Sequence, residues 1–162
     1  MEHWQELLAQ AAQLRRAGRT AEAVDAYRRL LAVKPDLPDS WYNLAWLERH
    51  NREFERSLES YRRALELGAR DPQEIHLNRA VLLGDYLHRH DEAGLELQRA
   101  LEIDPDYLPA LLNLGNWFED VGRQAEAAAA YRRALAIAPG HPLALARLAG
   151  VSHAARLDQS LA

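Results

Sequence analysis

The chain has 162 residues, 48% of them apolar and 27% charged with both signs interspersed, a composition that excludes a disordered chain and suits one folded domain or a short repeat array. A net charge of −4 argues against nucleic-acid binding through phosphate contacts, and the absence of Cys excludes disulfides and thiolate chemistry. No run approaches the roughly 18 apolar residues of a membrane span, and the opening MEHWQELLAQ lacks a basic-then-apolar signal pattern. A cytoplasmic location without a membrane partner is therefore expected.

Taken in chain order, the first apolar pattern of helical period runs through Leu7, Ala11 and Leu14 and breaks at Gly18. A second runs through Ala23, Tyr27 and Leu30 and stops at Pro35, which cannot donate the next helical hydrogen bond. SWYNLA (40–45) opens the third helix, broken at His50–Glu53, and Ser57, Tyr61 and Ala64 mark the fourth. IHLNRA (75–80) opens the fifth, broken at His88–Asp91, and Ala93, Leu97 and Ala100 mark the sixth. ALLNLG (110–115) opens the seventh, broken at Gly122–Arg123, and Ala127, Tyr131 and Ala134 mark the eighth before Pro139. A last helical stretch begins at His141 and has no second helix after it.

One phrase recurs: YRRLLAVKP (27–35), YRRALELGA (61–69), LQRALEIDP (97–105) and YRRALAIAP (131–139), spaced by 34, 36 and 34 residues. A helical hairpin alone cannot bury its apolar face. Stacked identical hairpins can, and each interface then asks for the same residues. The phrase is a packing rule: small residues such as Ala23 and Ala127 admit a close neighbour, and Tyr27, Tyr61 and Tyr131 fill the space between hairpins.

These residues resemble the tetratricopeptide repeat family. The pattern of a large residue, Leu and a small residue on the first helix, then Ala, an aromatic and Pro on the second, is met by Leu7, Ala11, Ala23, Tyr27 and Pro35. It is met again by Trp41, Leu44, Ala45, Ser57 and Tyr61, and best by Leu111, Leu114, Gly115, Phe118, Gly122, Ala127, Tyr131 and Pro139. The resemblance implies an all-α, right-handed α-solenoid of four hairpins (about 4–37, 38–72, 73–107 and 108–141) plus a capping helix (about 142–157), one array over 1–162. Repeat three departs from the pattern, with Arg79 in place of Leu and one extra residue between Ala80 and Ala93. A local change of helix packing angle is expected there.

The resemblance also implies that first helices line a groove for an extended peptide. The family's groove places fall on Arg15 and Arg16, on Tyr42, Asn43, Trp46, Arg49 and His50, on Glu74, Asn78 and Asp85, and on Asn113, Asn116, Glu119 and Asp120. Asn43, Asn78 and Asn113 share one place, and an amide offers donors and an acceptor to a peptide backbone. Similar Asn rows line the repeats of O-linked N-acetylglucosamine transferase. The alternative for this row is helix packing. Tyr42 and Trp46 stand either in the groove or against a neighbouring helix. The cations of chaperone-binding members are absent from their places, where Leu8, Ala12 and Glu74 stand, and that function is rejected. A weaker resemblance, in HLNRAVLLGDYLHRHDEA (76–93), is to repeat segments that precede bacterial sulfotransferase domains.

No catalytic motif is found, and no enzyme, cofactor or metal is expected. HRHDE (88–92) reads as an exposed turn whose side chains diverge, His76 as a partly buried structural residue, and Glu119–Asp120 as neighbours about 100° apart on a helix. The favoured function is a scaffold that binds a protein or peptide. The alternatives are an accessory, substrate-presenting domain of a transferase and a self-associating array. The basic Arg15, Arg16, Arg49 and His50 against the acidic Glu74, Asp85, Glu119 and Asp120 would orient a bound segment and allow weak head-to-tail association.

Overall fold

The computed structural model describes residues 2–161. Among them there are helices and no strands: α1 (His3–Arg16), α2 (Thr20–Val33), α3 (Pro38–His50), α4 (Phe54–Glu66), α5 (Pro72–Val81), a π-helical turn (Leu82–Tyr86), α6 (His90–Ile103), α7 (Leu108–Asp120), α8 (Gln124–Ile137) and α9 (Pro142–Leu161). Pro38 and Pro109 sit in the first turns of α3 and α7, where a missing N–H costs nothing.

The turn inside each hairpin needs one residue in the left-handed region. Gly18 (φ +71°) and Gly122 (φ +77°) supply it after α1 and α7. At the matching places in repeats two and three, Arg52 (φ 62°) and His88 (φ 55°) adopt the same conformation with a side chain attached. The extra residue of repeat three is taken up by the π-helical turn, where the Arg89 N–H reaches back to the Leu83 carbonyl at 2.7 Å.

The chain divides into two compact units, Met1–Ile75 with Asp85–Leu87, and His76–Gly84 with His88–Ala162. In the first, Ala11, Ala23, Tyr27, Leu30, Leu44 and Leu47 form a buried core, with Trp4, Leu14 and Trp41 packed against it. In the second, Leu97, Ala100, Leu111, Ala130 and Ala134 form one cluster, and Ala127, Ala128, Tyr131 and Val151 form another. The recurring Tyr27, Tyr61 and Tyr131 are all fully buried. Gly115 stands where the other repeats have Ala because a Cβ there would fall inside the Tyr131 ring.

Candidate functional site

In the first unit, the last turn of α1 and the middle of α3 enclose a cleft of about 260 Å³ lined by Arg15, Arg16, Tyr42, Asn43 and Trp46. The helical period brings these residues to one side: Tyr42 and Trp46 are four apart on α3, with Asn43 between their two rows. Trp46 is 42% exposed and lies against the His50 ring, centroids 3.8 Å apart, while His50 Nδ1 is 2.8 Å from the Trp46 carbonyl oxygen. The Tyr42 hydroxyl donates to Glu74 Oε1 at 2.5 Å, and its ring meets Tyr61 edge-on at 5.8 Å. The Tyr61 hydroxyl is buried and has no hydrogen-bond partner, and burial pushes its pKa well above the ordinary tyrosine value. Arg49 stacks its guanidinium 5.7 Å from the Tyr86 ring, Tyr86 stacks on Phe54 at 4.5 Å, and Arg52 covers Phe54 at 5.5 Å.

The matching face of the second unit is closed upon itself. The Tyr131 hydroxyl donates to Glu119 Oε2 at 2.5 Å and lies 2.7 Å from Asn116 Oδ1. Arg147 of α9 stands 3.7 Å from the same Glu119 oxygen. Burial and the neighbouring Glu119 carboxylate both push the Tyr131 pKa upward. Asn113 Nδ2 donates to the Pro109 carbonyl of its own helix at 2.8 Å. Asn43, Asn78 and Asn113 are all half-buried, and Asp85 and Asp120 are exposed.

Two buried carboxylates escaped the reading of the sequence. Glu48 is 2% exposed and stands where repeats one and four have Leu14 and Phe118. It accepts from Ser60 Oγ at 2.6 Å and from Arg28 Nη2 at 2.9 Å, and burial still raises its pKa beyond what those bonds lower it. Glu96 stands where the other repeats have Ala26, Ser60 and Ala130. His76 Nδ1 lies 2.6 Å from it, Arg79 Nη2 3.2 Å and Arg99 Nη1 3.0 Å. Burial pushes the Glu96 pKa up, but the bonds from His76 and Arg79 and the Arg79 charge prevail and hold it at about 2. The signal was an acid at a place that is small or apolar in the sister repeats.

His88, Arg89, His90, Asp91 and Glu92 line an open hollow, with the His88 and His90 rings 6.3 Å apart and Arg89 held by Glu92. Among the described residues, no three His, Cys, Asp or Glu gather as a metal ion requires. No described helix is long and apolar enough to cross a membrane.

The helical hairpins have counterparts in known proteins. Residues 8–75 and 109–141 match family models described as the tetratricopeptide repeat. The chain belongs to the tetratricopeptide repeat family. The stretch between the two matches holds the π-helical turn and the His76–Arg79–Glu96 cluster, the part that departs most from the repeat pattern. Among solved structures, the MamA protein aligns with a TM-score of 0.85 at 19% identity, covering 97% of this chain and 85% of that one. YrrB, described as a TPR protein with an unusual peptide-binding site, aligns with a TM-score of 0.76 at 16% identity over 96% of this chain and 84% of its own. At such identities the likeness is one of fold, an all-α tetratricopeptide solenoid. A curated relative from Giardia intestinalis, a UDP-N-acetylglucosamine--peptide N-acetylglucosaminyltransferase, is 31% identical over 91 residues. That match takes in 56% of this chain and only 6% of the relative's length.

Proposed function

We propose that this protein is a non-enzymatic scaffold that holds an extended peptide segment of a partner protein against its first helices. The contact residues would be Tyr42, Asn43, Trp46 and Arg49, then Asn78 and Asp85, then Asn113, Asn116 and Glu119. The observation that carries the reading is the cleft between α1 and α3, where an exposed indole, a phenol and a primary amide meet two guanidinium groups. Aromatic and Arg side chains are the usual anchors of protein interfaces, and an amide matches the alternating N–H and C=O groups of an extended backbone. The likeness to YrrB supports it, since that fold carries a peptide-binding site. On this reading the four repeats act as one array in the cytoplasm, on protein partners and without a cofactor.

The match to the Giardia intestinalis transferase favours a second reading, that of a segment presenting substrate to a glycosyltransferase whose catalytic part lies outside these residues. The sulfotransferase version of that idea rests on HLNRAVLLGDYLHRHDEA alone. Head-to-tail self-association through the opposite charges of the two ends of the groove would appear as a mass that rises with protein concentration and falls with salt.

The test is to screen immobilised extended peptides and titrate the tightest binder against the parent and N43A/N78A/N113A. Each amide contributes about 0.5–1.5 kcal/mol net, so the triple variant should bind about 10- to 2,000-fold more weakly. Its melting temperature should hold or rise, because Ala is the better helix former. A lower melting temperature with affinity per folded molecule unchanged would assign the Asn row to packing and end the groove reading.

A further inference from the structure

We propose that the cleft between α1 and α3 selects a segment bearing carboxylate side chains, with Arg15 and Arg16 as anchors and the Trp46 indole as the platform for the neighbouring side chain. This rests on the cleft being a peptide site and adds the chemistry of what enters it. Arg15 and Arg16 are exposed, and no described carboxylate pairs with either. Other arginines of the chain do pair with carboxylates, though not all of them. Arg19, Arg89 and Arg123, at the starts of second helices, each hold the Glu three residues on. Arg62 holds Glu59 and Glu66.

The partial negative charge at the C-terminus of α1 accounts for cations in its last turn. It does not account for their meeting an amide and a 42% exposed indole in one cleft. Arg49 and Arg52 of the same unit are held on aromatic faces. Glu74, beside Tyr42, is occupied by its hydroxyl. At the places of Arg15 and Arg16 the fourth repeat carries Glu119 and Asp120, so the second unit would repel the same ligand.

The chain as a whole carries −4 and would repel an acidic segment from a distance. At physiological salt the field reaches only about 8–10 Å, so attraction has to come from cations in contact with the ligand. A carboxylate received by a guanidinium accepts two parallel N–H bonds, so either Arg can hold an acid of an extended strand that lies in the cleft.

The probe is a fluorescein-labelled peptide of alternating Glu and Tyr, with analogues carrying Gln or Lys for Glu, titrated by anisotropy at low and physiological salt. The Glu peptide should bind about 3- to 30-fold more tightly than the Gln peptide, and the Lys peptide worst. R15E/R16E should reverse that order while its helical spectrum is kept. R15Q/R16Q, which adds no charge against the helix terminus, should abolish the preference. R29E/R70E, which changes the net charge equally at exposed Arg29 and Arg70, should leave it intact. Equal binding of the Glu and Gln peptides, both lost in Trp46→Ala, would keep the peptide site and overturn the acid selectivity. A preference that survives R15Q/R16Q, or no binding of any peptide, overturns the proposal.

Discussion

Tyr61 and Tyr131 occupy the same place in repeats two and four, yet their hydroxyls live differently. Tyr131 donates to Glu119 and lies beside Asn116. At the two matching places around Tyr61 stand Trp46 and Arg49, which offer no acceptor, and its hydroxyl is left unbonded in the interior. The ring is buried completely in both, so the repeat fixes the packing while the adjoining first helix decides the polar chemistry. In the fourth repeat that helix satisfies its own neighbours. In the second it forgoes a buried hydrogen bond and keeps an exposed indole and a cation. Unsatisfied buried groups are uncommon in native proteins and concentrate where function competes with stability. The contrast is one of polar chemistry: the first unit keeps an exposed indole where the second satisfies its own hydroxyl.

The largest test of the contrast concerns the two buried acids. Glu96 is ionised beside the half-buried His76 and Arg79 and the exposed Arg99, so Glu96→Gln takes away the carboxylate that the half-buried Arg79 faces and should cost about 3 kcal/mol by urea unfolding. Glu48→Gln retains an acceptor for Ser60 and removes a carboxylate that burial already disfavours, so its cost should be within about 1 kcal/mol. Acid separates them by sign. The folded pKa of Glu96 lies below the unfolded value, so its contribution is present above about pH 4.5 and lost as pH falls toward 2. The folded pKa of Glu48 lies above the unfolded value, so protonation removes a penalty as pH falls from neutrality toward the carboxylate range. Melting curves of the two Gln variants from pH 7 to 2 should deviate from the parent in opposite directions. Parallel curves would show that the environments are alike.

Next come the tyrosines. Tyr131→Phe removes a bond to a carboxylate and should cost about 1.5–3 kcal/mol, whereas Tyr61→Phe removes an unbonded hydroxyl and should be neutral or stabilising. Equal losses of melting temperature would mean that Tyr61 has a partner after all. The smallest effect lies in the turns. Arg52→Gly and His88→Gly should each gain about 1 kcal/mol by relieving a left-handed residue, while Gly18→Ala and Gly122→Ala should each lose about that much. A loss on Arg52→Gly would show that its stacking on Phe54 outweighs the strain.

The sequence by itself determined the hairpins, their phase and the buried tyrosines, because these follow from local spacing of apolar and small residues and from Gly and Pro at the breaks. The family resemblance assigned Arg15, Arg16, Tyr42, Asn43 and Trp46 to groove places, and the structure sets these five around one cleft. The sequence could not show that Asn116 and Glu119 are engaged by Tyr131, that Glu74 is engaged by Tyr42, or that Asn113 bonds its own helix. Nor could it tell that Glu48 and Glu96 are interior. An acid on a helix reads as solvated, and only the placing of Ser60, Arg28, His76 and Arg79 around it makes burial tolerable. Which polar atoms remain free for a ligand depends on partners 12 to 32 residues away in sequence. Tertiary structure alone decides that, because a hydrogen bond needs its two atoms within about 3 Å, whatever their separation along the chain.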